Sequence, residues 1–231
     1  MNPACPFAEA VAVRDGRVLG VGTVAELAGW GDHTVDDTFA DKVLTPGFIE
    51  AHTHVMSGGV WQFPYVGFFD RKDPQGNLWT GCTSVDAVLD RLAEHESQLE
   101  DASSPLIAWG LDPIYFPDDR LLAEHLDRVS LTRPIYVYHA SAHLATVNTA
   151  MLDFSEINEH STTPGIARNA DGTPNGELQE PAAMTLARSG MTEIAMAIMS
   201  NEAKWNYAYE ARNAGHTLLT DLGTTRVNDA D

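Results

Sequence analysis

Hydrophobic residues follow two different periods along this chain. Near the start they alternate. Residues 9–13 and 17–21 read as short strands around Asp15-Gly16, a pair suited to a tight hairpin turn. Residues 24–27 read as a helical turn and residues 34–39 as a further strand, which together make a piece too small to bury itself well. From Val43 onward, short apolar runs alternate with amphipathic stretches, the pattern of βα units. Residues 44–49, 106–110 and 135–138 predict buried strands. Ser84 predicts an N-cap for a helix whose apolar positions Val85, Val88, Leu89, Leu92 and Leu99 recur at helical spacing. Residues 121–129 predict a short helix stopped before Arg133-Pro134. Residues 192–213 predict one long helix, ended by Ala214-Gly215 and feeding a last strand at 217–221. Between the early strand and the Ser84 helix, residues 57–83 have no period but carry Trp61, Phe63, Tyr65, Phe68, Phe69 and Trp79. A loop of that length inside a compact domain is usually functional, and this one reads as a wall on the substrate side.

The strand ending in Phe48-Ile49-Glu50-Ala51-His52-Thr53-His54 brings chemistry into the pattern. Side chains alternate across a strand, so His52 and His54 leave it on the same side and can grip one cation. Neutral imidazole is a common ligand for zinc-like ions, which makes a metal site the first hypothesis.

Charge and composition narrow the partners. Fourteen Lys and Arg against 33 Asp and Glu give a formal charge of −19. Nucleic acid needs a basic footprint, so it is excluded as an expected partner, and an anionic membrane surface is disfavoured for the same reason. Cys5 and Cys82 are the only cysteines and stand far apart, which argues for a reducing compartment rather than a disulfide scaffold. No run approaches the roughly 18 apolar residues of a membrane span, and no signal-like start is visible. Cytoplasmic is the default expectation.

Leu44-Thr45-Pro46-Gly47-Phe48-Ile49-Glu50-Ala51-His52-Thr53-His54 closely resembles the first-strand signature of the metal-dependent amidohydrolase superfamily, with Glu50 in place of the usual Asp. More of the chain resembles one branch, amidohydrolase family 3, which includes N-substituted formamide deformylases. Residues 10–22 are similar to its amino-terminal hairpin. Residues 133–152 are similar to its strand, Gly-His-x-x-x-x-Asn turn and helix, with Ala142 where Gly is usual. Residues 171–180 are similar to its Gly-x-Pro-x-Gly-x-x-x-Glu segment.

The resemblance implies an α/β fold: a partial (β/α)8 hydrolase barrel over residues 43–231, with a loop insertion at 57–83, preceded by part of a small β-sandwich over residues 1–42. A complete barrel usually needs about 250 residues by itself, so the 231 residues here are expected to be a fragment, inactive alone. The implied cofactor is one or two divalent metal ions, zinc foremost, held by His52, His54 and a bridging Glu180. Glu180 and His143 are the expected catalytic residues. Trp61, Asp112 and His139 are the expected substrate contacts, and Asn148 is read as a structural amide. Glu180 alternatively only stabilises a helix terminus, and His143 alternatively only satisfies backbone groups. Glu177 and Asp221 are weaker candidates, and His33, His95, His125 and His160 read as solvated. The implied reaction is hydrolysis of a non-peptide C–N bond in a small amide or N-substituted formamide by a metal-activated water. A deaminase or cyclic amidase of the same superfamily, and a non-catalytic metal-binding module, stay open as alternatives, as does a homodimer.

Overall fold

The computed structural model describes residues 6–45, 49–50, 55–101, 103–117, 119–213, 217–219 and 226–227; His52, His54, Cys5 and Asp221 lie outside them. The chain divides into two units, Met1–Phe48 and Ile49–Asp231.

In the first unit, β1 (Ala10–Arg14) and β2 (Arg17–Gly22) form an antiparallel hairpin. Asp15 and Gly16 take φ of 52° and 68°, the two positive values that a type I′ turn requires. Thr23 then caps α1 (Val24–Ala28): its hydroxyl accepts from the Glu26 N–H while the Glu26 carboxylate accepts from the Thr23 N–H, a full capping box. The strand expected at 34–39 does not form; those residues are exposed coil and turn. Among the described residues they pair with no strand, and their apolar side chains Val35 and Phe39 are exposed.

The second unit is mixed α/β. Short strand β3 (Ile49–Glu50) runs parallel to β11 (Thr217–Leu219). A 3-10 segment, Val55–Gln62, follows. Then come a small hairpin of β4 (Arg71–Lys72) and β5 (Leu78–Trp79), helix α2 (Val85–Glu96) and β6 (Leu106–Leu111). Helix α3 (Ala123–Leu126) crosses to β7 (Ile135–His139), which pairs parallel with β6. From there the expected β-then-α alternation changes. The segment read as a turn after His139 is a tight turn into a further strand, β8 (Leu144–Val147), before α4 (Thr149–Phe154). Strands β9 (Ile166–Arg168) and β10 (Pro174–Gln179) add a second hairpin. The sheet order is β6-β7-β8-β10-β9, and every pair after β6–β7 is antiparallel. A four-residue link cannot carry a parallel crossover, so it dictates the antiparallel return.

Both faces of this sheet are covered, which is why β6 is buried at every position. Leu106 and Ala108 face one core with Ile135, Val137 and the α2 residues Val85, Val88, Leu89 and Leu92. Ile107 faces the other core with Tyr136, Ala145, Val147, Leu178 and residues of α4, α5 (Glu180–Met184) and α6 (Arg188–Met199). Period two in the strand thus feeds two cores at once. Ser84 caps α2 as its sequence predicts, its hydroxyl accepting from the Ala87 N–H at 3.1 Å.

The single helix expected over 192–213 is two: α6 and α7 (Asn201–Asn213), broken at Ser200, whose ψ is 154°. Serine competes poorly in a helix interior and well at a cap. Its hydroxyl accepts from the Ala203 N–H at 3.1 Å and so starts α7. The break receives the 3-10 segment that follows His54. A Cβ on Gly58 would lie 2.2 Å from the Ala203 carbonyl oxygen, and one on Gly59 would lie 2.3 Å from that of Ala197. Only glycines permit this backbone approach. Gln62 completes the seam by donating to the Ala197 carbonyl and the Ser200 hydroxyl. The helix expected over 121–129 keeps only Ala123–Leu126 as α-helix. The chain continues to β11 and to β12 (Arg226–Val227), which pairs antiparallel with β11. Among the described residues no helix is long and apolar enough to cross a membrane.

Candidate active site

The antiparallel register of β8 and β10 assembles the most chemically suggestive pair. Gln179 pairs with Leu144, and the ladder runs one step further, the Glu180 N–H donating to the His143 carbonyl at 2.8 Å. Cross-strand neighbours have side chains within reach. The His143 Nδ1 and Glu180 Oε2 atoms are accordingly 2.9 Å apart, with both side chains 66% exposed. Two of the sequence-derived site residues, 37 positions apart, are therefore brought together on one solvent-facing edge.

Their backbones are held in costly conformations. Ala142, where the resemblance implies Gly, has φ of 62°, and Glu180 has φ of 62° immediately before Pro181. Left-handed φ costs an L-residue roughly 1–2 kcal/mol, and a residue before proline is already restricted. Ala142 is fixed by its N–H donating to the His139 carbonyl at 3.0 Å, and the His143 N–H is taken by the Ser141 hydroxyl. Strain at two adjoining turns that present an imidazole to a carboxylate is the kind of local cost that clusters at functional sites.

His139 goes elsewhere. It is only 2% exposed, inside the sheet, so the structure does not bring the expected substrate contact to the surface. Its Nε2 meets the Thr146 hydroxyl at 2.9 Å, while Nδ1 has no hydrogen-bond partner among the described residues. Burial pushes its pKa down to about 4 against upward pulls from Glu177 and Asp112, and Arg120 adds a downward push. Glu177 is buried opposite Thr146, bonded to the Arg120 Nε and the Gln179 amide. Burial raises its pKa, but the hydrogen bonds from Arg120 and Gln179 outweigh that and leave it below the usual carboxylate value. Nothing local in the sequence foretells the charge that Arg120 brings to Glu177; that contact depends on the tertiary path.

Asp112 ends β6 and caps the following 3-10 turn, its Oδ1 accepting from the Ile114 N–H at 3.1 Å. It also lines a cavity of about 220 Å³ with Tyr65, Phe68, Phe69, Arg71, Gly110, Tyr115 and Ala140. Trp61 is not in that lining. It packs edge-on against Trp109 at 4.8 Å, and the Arg71 guanidinium lies over the rings of Trp61, Tyr65 and Trp109 at 5.4–5.8 Å. The long loop thus does both things open to it: it buries its own aromatics and offers others to a cavity.

Asn148 is structural, as read. Buried at the start of α4, it accepts from the N–H groups of Ile135 and Met151 and donates to the carbonyls of Ser130 and Arg133. His125 and His95 are not simply solvated. His125 Nδ1 accepts from the Leu122 N–H, and His95 stacks on Trp79 at 5.9 Å with its pKa lowered chiefly by burial.

An imidazole beside a carboxylate is a donor set of the kind divalent metals use. His143 and Glu180 supply two such donors; among the described residues no group of three or more His, Cys, Asp or Glu stands together.

The Amidohydrolase family, compared across its members' sequences, matches residues 40–227. The chain belongs to the amidohydrolase family. That match takes in the His-x-His segment, the His143 turn and the strand ending at Glu180. The chain is 29% identical to N-substituted formamide deformylase of Arthrobacter pascens over 96% of its own length and 39% of that protein. It is 28% identical to Protein LONG AFTER FAR-RED 3 of Arabidopsis thaliana over 96% of itself and 36% of that protein. It is 30% identical to Putative amidohydrolase YtcJ of Bacillus subtilis (strain 168), over 75% of itself and 32% of that protein. The chain therefore spans between about a third and two fifths of the curated relatives it matches. An uncharacterized metal-dependent hydrolase from Pyrococcus horikoshii OT3 aligns over 90% of this chain and 38% of that one, with 14% identity and a TM-score of 0.40.

Proposed function

We propose that this amidohydrolase chain forms part of a metal-dependent hydrolase that cleaves a non-peptide C–N bond in a small amide or N-substituted formamide. Membership of the family supports a hydrolase. The observation that carries the reading to particular residues is the exposed His143–Glu180 pair on two left-handed turns. In the architecture we propose, residues 43–231 contribute the early strands of a (β/α)8 barrel and residues 1–42, with the β1–β2 hairpin, contribute part of a β-sandwich.

His52, His54 and Glu180 would hold a divalent ion, zinc foremost. When bound, such an ion supplies Lewis acidity and an acidified water at neutral pH. The chain's own residues supply the rest. Glu180 Oε2 orients His143 through Nδ1, which leaves Nε2 to carry a proton toward a leaving amine. The second Glu180 oxygen stays available as a donor. A reducing cytoplasmic setting suits Cys82, a buried free thiol.

The test is metal content of the intact protein by elemental analysis, beside His52→Ala/His54→Ala. It is run with assays for formate from N-substituted formamides and for ammonia from amides and cyclic amines. Near-stoichiometric zinc lost in the double variant, with formate released only by the wild type, is the expected result. Ammonia from cyclic amines, with none from amides and no formate, would move the reaction to deamination. Absence of metal and of turnover from the wild type would reject the hydrolase and leave a binding module.

A further inference from the structure

The cavity of about 220 Å³ beside Asp112 is not used by the chemistry above. It opens at the carboxyl ends of the parallel strands β6 and β7, the edge at which ligands of open α/β sheets bind. The same edge carries the turn from His139 to His143.

Its size and lining select what fits. Ordinary small-molecule sites run to roughly 300–1,000 Å³, while an apolar cavity of about 150 Å³ already takes benzene. The cavity lies between those values, so it holds one ring rather than a whole substrate. Phe68 stacks on Tyr115 with centroids 5.0 Å apart, and Phe69 meets both edge-on. Phe69 remains 55% exposed and Tyr115 39% exposed at the rim. Both rings therefore stand at the mouth of the cavity, where they can meet a ligand. Tyr65 makes the buried wall. Its ring sits against Gly110, where φ is +99° and an added Cβ would lie 2.5 Å from the ring. Gly110 is also where the β6–β7 register shifts, so the bulge that makes room for the Tyr65 ring shapes the cavity. The Ala140 N–H is used by the Leu111 carbonyl, and Asp112 is the carboxylate of the lining, beside the Arg71 cation. Asp112 Oδ1 caps Ile114, and among the described residues no hydrogen bond reaches Oδ2.

We propose that this cavity is a subsite for a single aromatic ring with a hydrogen-bond donor at its edge, the ring against Tyr65, Phe68, Phe69 and Tyr115 and the donor on Asp112 Oδ2. The proposal rests on reading the β6–β7 edge as the substrate side of the proposed hydrolase, and it names the group that the substrate presents there.

The experiment is a ligand-observed NMR titration of the intact protein with 4-methylphenol, toluene and cyclohexanol. The expected order is 4-methylphenol first, toluene about tenfold weaker for want of the charge-assisted hydrogen bond, and cyclohexanol not measurably bound. Asp112→Asn keeps an acceptor for the Ile114 cap but puts an amide where the second oxygen was, so it should erase the advantage of 4-methylphenol over toluene. Phe69→Ala, at an exposed rim position, should weaken both aromatic probes. Equal binding of cyclohexanol and 4-methylphenol would overturn the proposal, as would wild-type affinities in both variants. The His52→Ala/His54→Ala protein serves as the control. Ring binding that survives in it while turnover fails in the wild type would reject the hydrolase reading alone, and turnover without ring binding would reject the subsite alone.

Discussion

Acid should weaken this fold through His139, and the size of the effect follows from its burial. The imidazole is sealed at the end of β7 with Thr146 on Nε2 and nothing on Nδ1 among the described residues. Its pKa is pushed down to about 4 from an ordinary 6.5, chiefly by burial. The charged groups that face it are Glu177, Arg120 and Asp112, of which the two carboxylates pull upward without prevailing. Between those two pH values the unfolded chain binds the proton and the folded one does not. Stability is therefore fully present above pH 6.5 and is lost as pH falls toward 4. Each unit of difference corresponds to about 1.4 kcal/mol, so this residue alone should remove about 2 kcal/mol on going from pH 7 to pH 4.5. Urea unfolding followed by far-UV circular dichroism at both pH values measures the total, and a variant isolates the share. His139→Leu/Thr146→Val replaces both hydrogen-bonding partners with apolar groups of similar shape, a change that can be close to neutral at pH 7. The double variant should lose about 2 kcal/mol less than the wild type over the same interval. Equal losses in the two proteins would refute the reasoning and show that His139 is protonated in the folded state or accessible to water.

Other positions give sharper tests of packing. Gly58→Ala places a methyl carbon 2.2 Å from the Ala203 carbonyl, backbone against backbone, and should cost about 1–3 kcal/mol in urea unfolding. Asn148→Ala strands the N–H groups of Ile135 and Met151 and the carbonyls of Ser130 and Arg133, so a loss of about 3 kcal/mol or more is expected, with premature thermal unfolding as the readout. Ala142→Gly relieves a φ of 62° and should raise stability by up to about 1 kcal/mol, after the greater chain entropy of glycine is counted. If it instead destabilises, the left-handed turn before His143 is not strained.

Local signals made much of the architecture legible. Asp15-Gly16 with alternating neighbours signalled a tight hairpin, and Ser84 before a period of 3.6 signalled the start of a helix. Each of these depends on the backbone preferences of a few adjacent residues. The spacing of His52 and His54 is likewise a local fact, independent of where the strand lies. The misreadings are all non-local. Residues 34–39 have strand composition but pair with no strand among the described residues, Ser200 breaks a continuous helical pattern where the distant Gly58-Gly59 packs, and the segment after His139 leads into a strand that pairs with β10.

By itself, then, the amino-acid order determined the two periods, the caps and turns, the acidic character and the family signature around the His-x-His strand. Only the tertiary structure decided that His143 faces Glu180, because a register is a relation between strands that no window of sequence contains. It decided that His139 is sealed while His143, four residues on, is open. It also decided that Asp112 meets four aromatic rings around a cavity, since Tyr65, Phe68, Phe69 and Tyr115 come from two separate loops that burial of the intervening strand and helix draws to one edge.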